Sequence, residues 1–532
     1  MEKMLGVMLD CSRNAVMRVE TVKQYANIVK QMGYNTIMLY TEDTYEIEGQ
    51  PFFGHLRGRY SKDELKEIDR YCKEIDIELI PCIQTLAHLE SMFKWSEQYF
   101  KINDCDDILL IDNENTYRLI ENMIETLAEC FSSRKIHIGM DEAYRVGTGR
   151  YRRLYGEKDR FEIINGHLHK VCDILKKYGF EPMIWSDMFY TLALNIDNQF
   201  KDQYRETDKS LFVEKAKLPP EVSLVYWDYY CTDYEEYKRR IEANKLFDRK
   251  LYFAGGAWTW KGFAPDNKLS METTRVAMEA CRECGVDGVF FTLWGDDGSE
   301  CSKISVLPSL MYAAETINGN TDIESIKEKF KGITGYEFDD FMLLDELDMP
   351  IKGDYESLSK CILYNDLFLG IRNHFEEEHY VEYYENLADR LSAVCGNESF
   401  SYLFEWYKSF AELLSVKCNL GTKIIQAYKK KDMEMLGLTI DDCELLIEKL
   451  KDFHKKYQVR WFKENKPHGF DVQDLRLGGT LQRVLSCMDR LKQYVNGQID
   501  VIEELEEPVL NEANGFSYWS RLVTPNIISH GF

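Results

Sequence analysis

The sequence predicts a (β/α)8 TIM barrel followed by an all-α C-terminal domain, on three observations. Over about the first 300 residues, eight short apolar runs, often β-branched, alternate with helical stretches of mixed charge. Strand-then-helix alternation implies a parallel sheet, and eight such units close a barrel. A doubly wound open sheet would carry a Gly-rich turn after its first strand, and Asp10-Cys11-Ser12-Arg13-Asn14 is not one. Beyond about Asn320 the β-type runs vanish and long amphipathic stretches replace them.

The eight runs are residues 4–9, 36–40, 78–83, 135–139, 182–185, 223–227, 251–254 and 288–293. Between them, Val22, Tyr25, Ala26, Val29 and Met32 form one apolar stripe of helical period. Leu119, Met123, Ile124, Leu127 and Ala128 form another. Gly33, Gly179 and Gly285 stand where helices should stop before the next strand, a place that favours left-handed backbone. The first run begins at Met4, so no small α/β domain is expected ahead of the barrel. The polar link 318–322 separates an expected barrel domain, 1–320, from an expected helical domain, 321–532. In the latter, 401–428, 431–457 and 478–496 read as helices, and the tail 515–532 loses the period. The helical domain carries no readable chemistry. Covering the barrel and forming a homodimer contact are the roles open to it.

Composition narrows the partners. Lys and Arg total 66 against 91 Asp and Glu, a net charge of −25, which repels phosphate backbones and anionic membrane surfaces. Neither nucleic acid nor a membrane is therefore expected as a partner. No apolar run is long enough for a transmembrane helix, and residues 1–10 lack the basic and small-residue marks of a secretory signal. The 15 cysteines are mostly scattered singly through apolar segments, the pattern of reduced thiols, and a cytoplasmic location is expected. Cys281-Arg-Glu-Cys284 has no second pair at zinc-site spacing and reads as helix packing.

A barrel of this type places its active site at the C-terminal ends of its strands. Read in order, those ends carry Asp10 and Arg13; Glu42 and Asp43; His88; Asp141 and Glu142; Trp185 and Asp187; Trp227, Asp228, Tyr229 and Tyr230; Trp258 and Trp260; and Trp294, Asp296 and Asp297. Five of the nine tryptophans in the chain fall there, interleaved with acids. Flat apolar walls beside carboxylates and an arginine suit a sugar, which presents C–H faces between hydroxyls. His88, His137, Asp141 and Glu42 could in principle ligate a metal. No H-x-H follows the first run, however, and His137 lies within a strand, so neither a metal nor another cofactor is expected. Adjacent carboxylates raise each other's pKa, and packing at the barrel end raises it further, so one of Asp141 and Glu142 could stay protonated as a general acid.

The segment His137-Ile138-Gly139-Met140-Asp141-Glu142 resembles the H-x-G-G-D-E signature of glycoside hydrolase family 20, with Met140 in place of the second Gly. Asp10-Cys11-Ser12-Arg13 is similar to the family's D-x-x-R. Thr41-Glu42-Asp43 is similar to its acidic pair, with Glu for the first Asp. His88 matches its strand-three histidine, and Trp294-Gly295-Asp296 resembles its W-x-E, with Asp for Glu. The resemblance runs in order through residues 4–300 and points to the subgroup built as barrel plus helical domain.

The resemblance implies an exo-acting β-N-acetylhexosaminidase that removes terminal N-acetylhexosamine from an oligosaccharide or glycoconjugate with retention, the substrate's own acetamido oxygen attacking the anomeric carbon. Glu142 would be the acid and then the base, and Asp141 would orient the acetamido N–H. His88 would bridge Glu42 and Glu142. Arg13 would bind the O3/O4 side of the sugar and Asp296 its O4/O6 edge. Trp185, Trp227, Trp258 and Trp294 would wall the pocket, and Tyr229 or Tyr230 would replace a tyrosine not evident after the seventh run. Two rivals remain. One is a glycosidase for sugars lacking the acetamido group, with a nucleophile among Asp187, Asp228 and Asp296 about 5 Å from the acid. The other is a non-catalytic carbohydrate-binding protein.

Overall fold

The computed structural model describes residues 3–193, 217–296, 298–349, 357–394 and 396–508. Asp297 and the tail 515–532, both named above, lie outside them. Eight parallel strands close a barrel: β1 Met4–Asp10, β2 Thr36–Tyr40, β3 Glu78–Cys82, β4 Lys135–His137, β5 Glu181–Trp185, β6 Ser223–Trp227, β7 Leu251–Gly256 and β8 Gly288–Leu293. Each pairs with its sequence neighbours, and β8 closes on β1 in the register Met4–Gly288 to Leu9–Leu293. The strands match the expected runs to within two residues. The β4 run ends early, at His137, because the chain enters left-handed backbone at Gly139 and Met140 (φ 71° and 74°).

The strands are buried on both faces, as parallel strands under helices must be. Alternate residues serve two cores. Val7, Leu9, Ile37, Leu39 and Leu79 point outward to the helices. Met4, Met8, Met38, Tyr40, Ile80, Cys82, Met183, Val225 and Phe290 fill the barrel, with Trp185 in the same cluster and Trp227 and Trp294 against it. The tryptophans are thus the polar end of the interior packing. That is why they can be wall and core together.

The outer helices follow the strands in turn: α1 Val19–Gln31, α2 Lys62–Glu74, α3 Glu114–Cys130, α4 Arg160–Tyr178, α5 Asp187–Ala193, α6 Tyr234–Lys245, α7 Asn267–Cys284 and α8 Leu307–Ile317. Local signals start and stop them. Ser61 and Glu64 form a capping box on α2, Asp159 caps α4, and Gly179 and Gly285 end α4 and α7 in left-handed conformation. Cys281 and Cys284 are free thiols on α7, in accord with a packing role. A small antiparallel hairpin, Asn103–Cys105 with Ile108–Leu109, was not expected; strands this short carry no period to read.

The C-terminal region is helical: α9 Ile323–Thr334, α10 Tyr380–Ser392, α11 Ser401–Lys417, α12 Leu420–Lys430, α13 Met433–Glu464 and α14 Phe470–Val495. The stretch 401–428 is two helices rather than one. The second begins where the Glu376 carboxylate accepts the Thr422 backbone N–H and hydroxyl, a cap supplied from a distant segment. One hydrophobic core is continuous from the outside of the barrel into these helices. Among the described residues no helix is long and apolar enough to cross a membrane.

Two seams tie the helices to the barrel mouth. At the loop after β1, Met17 bridges Asn465, Lys466 donates to the Val16 carbonyl (2.8 Å) and Asn14 donates to the Gly469 carbonyl (2.8 Å). At the loop after β8, Glu300 is fully buried between Lys360 (2.6 Å) and Arg476 (2.8 Å), and Ser302 donates to Glu464 (2.7 Å).

Candidate active site

The loop after β1 is built around Asp10. Its carboxylate accepts from the Ser12 backbone and hydroxyl (2.8 Å each) and from Gly295 N–H after β8 (2.7 Å), locking the two loops together. This fixes Arg13, whose guanidinium is held on three sides. Nε donates to Glu42 (3.1 Å), Nη2 faces His88 Nδ1 (3.3 Å), and Nη1 lies 3.4 Å from Asp296. The guanidinium has more donors than these contacts use, so some remain for a ligand.

Glu42, His88 and Glu142 follow β2, β3 and β4, and each has left-handed backbone (φ 40°, 56° and 51°). Side chains other than Gly adopt that region at a cost of about 1–3 kcal/mol, and such outliers cluster where geometry serves function. Gly139 is required outright: with φ 71°, a Cβ there would lie 2.0 Å from Gln84 Oε1. Met140, the departure from the H-x-G-G-D-E pattern, has φ 74°, which explains why glycine suits that position.

Gln84, two residues past the end of β3, connects the site. Its amide donates to Asp141 Oδ1 (2.8 Å) and to the Tyr40 hydroxyl (2.9 Å), and Tyr40 in turn donates to Glu42 (3.1 Å). His88 Nε2 lies 3.1 Å from Asp141 Oδ2 and 3.7 Å from Glu142. The expected His88 bridge from Glu42 to Glu142 is corrected accordingly. His88 stands between Arg13 and Asp141, and Glu42 reaches it only through Arg13, because the Glu42 carboxylate is already taken by Arg13 and Tyr40.

These contacts push the two adjacent carboxylates apart. Burial raises Asp141, but His88 and the Gln84 hydrogen bond outweigh it and hold its pKa below the usual value. Glu142 goes the other way: burial, aided by the Asp141 charge, raises its pKa despite His88. Burial and Arg13 work against an imidazolium at His88, yet Asp141 pushes its pKa up to about 10. The short approach of Arg13 to Nδ1 favours a lone pair there, so the charge balance and that contact pull in opposite senses. In either protonation state Nε2–H faces Asp141. Burial raises Glu42 as well, against the pull of Arg13. Asp187 accepts the Glu142 backbone N–H (3.3 Å). Burial and then the charges of Asp141 and Glu142 push its pKa up to about 8. His137 is buried against Trp185 (ring centroids 4.5 Å apart) and its pKa falls to about 3, the neutral core histidine that its place in a strand suggests.

A cavity of about 140 Å³ lies at this mouth. Arg13, His88, Asp141, Glu142, Trp185, Trp227, Tyr229, Trp294 and Asp296 line it, so the structure brings these expected residues to one place. Glu42 stands behind Arg13 and does not line it. Trp258 is a correction. Its backbone N–H donates to Ser270 (2.9 Å) and its indole N–H to the Tyr229 carbonyl (3.1 Å), which pins it inside the wall. Trp260 stacks on it (4.4 Å) and takes the cavity face. Tyr230 lines the cavity too, and the Tyr229 hydroxyl accepts from Trp294 Nε1 (3.1 Å). The sequence named Trp260 at a strand end without giving it a role, offered Tyr230 as the alternative to Tyr229, and named Asp187 only as a nucleophile for the rival glycosidase. Gln84 it missed, and the only signal is a polar residue closing an apolar run. Among the described residues no group of three or more His, Cys, Asp or Glu could hold a metal ion.

The geometry can now be set beside known proteins. Residues 4–217 match the catalytic domain of glycosyl hydrolase family 20, and residues 339–518 match the glycoside hydrolase 20C C-terminal domain. The chain belongs to glycoside hydrolase family 20. The family 20 match spans β1 to β5 and hence Arg13, Glu42, His88, Asp141, Glu142 and Trp185. Among curated relatives, Hexosaminidase D of Bos taurus is 24% identical over 245 residues, 44% of this chain and 64% of that one. The Homo sapiens protein of the same name is 23% identical over 41% of this chain and 43% of its own. The matches to these relatives thus cover less than two thirds of their lengths. Among solved structures, the β-N-acetylhexosaminidase from Bacteroides fragilis aligns with TM-score 0.49 at 22% identity, covering 62% of this chain and 70% of that one.

Proposed function

We propose that this family 20 chain is an exo-acting β-N-acetylhexosaminidase, hydrolysing terminal β-linked N-acetylhexosamine from oligosaccharides or glycoconjugates with retention and with the substrate's acetamido group as nucleophile. The observation that carries the reading is the opposed pull on two neighbouring carboxyls in one tryptophan-walled cavity: the pKa of Asp141 is held down by His88 and Gln84, and that of Glu142 is pushed up by burial and by Asp141. Environments that drive two carboxyls apart mark an acid and its charged partner.

Glu142 donates its proton to the departing oxygen, then takes one from water. Asp141 does not reach the anomeric carbon. Each of its oxygens is engaged once, by Gln84 and His88, and retains a lone pair for the acetamido N–H. Held ionised, it also stabilises the positive charge that develops on the acetamido group as its oxygen attacks. Trp185, Trp227, Trp260 and Trp294 supply the apolar wall, with Tyr229 or Tyr230 near the acetamido oxygen. Arg13 and Asp296 take the hydroxyl edge of the sugar. Of the three carboxylates that a rival glycosidase could use as its own nucleophile, two are poorly suited: burial and neighbouring charge push the pKa of Asp187 up to about 8, which works against its ionised form, and Asp228 is tied to Arg240 and Tyr226 away from the cavity. Asp296 lines the cavity 3.4 Å from Arg13 and is the candidate that the substrates below test. The free, mostly buried cysteines suit a reducing compartment and support a cytoplasmic site of action.

The test is a pair of substrates. The protein should release 4-nitrophenol from the N-acetyl-β-D-glucosaminide and leave the β-D-glucoside, which lacks the acetamido group, essentially intact. Comparable release from both would refute substrate assistance.

A further inference from the structure

The hydrogen bonds around Asp141 close into a ring. From Asp141 it runs through Gln84, Tyr40, Glu42, Arg13 and His88 back to Asp141, across the ends of β1 to β4. Two branches therefore lead from Arg13 to Asp141. One is His88 alone, which reaches Oδ2 (3.1 Å). The other passes through Glu42, Tyr40 and Gln84 and reaches Oδ1 (2.8 Å).

Donors and acceptors fix the sense of the second branch. Gln84 Oε1 faces the Met140 backbone N–H (3.3 Å), and of the two ends of an amide only the oxygen accepts. The amide nitrogen therefore supplies one N–H to Asp141 and the other to the Tyr40 hydroxyl (2.9 Å). The Tyr40 oxygen accepts, so its single proton goes to Glu42 (3.1 Å). Burial and then the Glu42 charge push the pKa of this phenol up and keep that proton in place. Tyr40 is 1% exposed in the largely apolar filling of the barrel, edge-on to Trp294 (ring centroids 4.8 Å apart). A phenylalanine would pack there equally well. Burying a hydroxyl costs free energy that its hydrogen bonds do little more than restore, so the fold gains little from it. Neither Tyr40 nor Gln84 lines the cavity, so neither touches a bound sugar.

We propose that Tyr40 is a positioning residue for the reaction. By accepting one Gln84 N–H it fixes the plane of the amide and so holds the other on Asp141 Oδ1, while His88 holds Oδ2. With both oxygens gripped, the carboxylate offers its remaining lone pairs in one direction only. The inference rests on Asp141 orienting the substrate's acetamido group. Tyr40 acts through Gln84, and its bond to Glu42 aims the phenol.

Tyr40→Phe, Gln84→Met and the double variant test this on 4-nitrophenyl N-acetyl-β-D-glucosaminide, with kcat and KM measured across pH beside thermal unfolding. Tyr40→Phe should lower kcat by about tenfold, the scale of one loosened hydrogen bond to a charged group, with KM within about twofold of wild type. Donation to ionised Asp141 lowers its pKa, so loosening it should move the acid limb of kcat/KM to higher pH, by about half a unit in Tyr40→Phe and about one unit in Gln84→Met. The alkaline limb should stay, since neither residue acts on Glu142. Tyr144, Asp187 after β5, Tyr229 after β6, and Cys82 and His137 in the barrel wall also share the field of Asp141, and neither substitution changes them. The double variant should match Gln84→Met, because Tyr40 acts through Gln84. An acid limb that stays in place in Tyr40→Phe, a further shift in the double variant, or a loss carried by KM would overturn the positioning role. So would a Tyr40→Phe chain that does not fold, since the hydroxyl would then serve the fold. Each of these leaves the proposed function standing. Wild type inert toward the glycoside would instead overturn that function, and the role of Tyr40 would fall with it.

Discussion

His88 faces Asp141, Glu142 and Arg13 at once. Its positive charge lowers the pKa of both carboxyls. In the mechanism proposed above, the acid limb of kcat/KM belongs to the group that must be ionised, Asp141, and the alkaline limb to the group that must be protonated, Glu142. His88→Gln should therefore move both limbs to higher pH, each by about one unit, the effect expected of removing one nearby opposite charge. A profile of kcat/KM against pH checks this, and limbs that stay in place would show that His88 does not set these protonation states. At this scale the sequence was partly legible. Asp141, Glu142, Arg13 and His88 announced themselves as charged residues at strand ends. Gln84 did not, because its role exists only once β3 and β4 lie side by side. Trp258 and Trp260 are two residues apart in one loop, and only the tertiary contacts to Ser270 and Tyr229 decide which of them faces the cavity.

Among the elements, the turn after β4 is the most constrained. Gly139, Met140 and Glu142 all have positive φ, and Gln84 packs into the space a Gly139 side chain would need. Gly139→Ala would add about 1 kcal/mol of backbone strain and drive Gln84 off Asp141 and the Met140 N–H. Displacing Asp141 by a fraction of its reach should lower kcat/KM by about 100-fold while the protein remains folded. Steady-state kinetics beside a thermal unfolding curve would show it, and near-normal turnover would mean that the turn does not position Asp141. The barrel strands were legible to within two residues because β-branched, fully buried runs differ sharply from the amphipathic helices between them. The break between α11 and α12 was not, since its cap, Glu376, comes from elsewhere in the chain.

The whole molecule is held at the barrel mouth by charges taken out of water. Glu300, six residues beyond Trp294, is buried between Lys360 and Arg476 from the helical region. Buried ion pairs contribute little net stability when intact, but removing one partner strands the others. Glu300→Ala leaves two buried cations without their carboxylate and should cost about 3–5 kcal/mol in urea unfolding. A loss below about 1 kcal/mol would mean that the two cations find water or other partners. Nothing in the local sequence pairs Glu300 with residues 60 and 176 positions away, so this seam appears only in the folded chain. The same seam holds the loop bearing Trp294 and Asp296, which is how a region without chemistry of its own can shape the site. The central claim concerns the neighbours Asp141 and Glu142, and it is tested most directly by 4-nitrophenol release from the N-acetyl-β-D-glucosaminide by wild type, Asp141→Asn and Glu142→Gln in parallel. Wild type should turn the substrate over, and each variant, folded as wild type is, should be slower by at least about 100-fold. Either variant retaining activity within a few-fold of wild type would contradict the account.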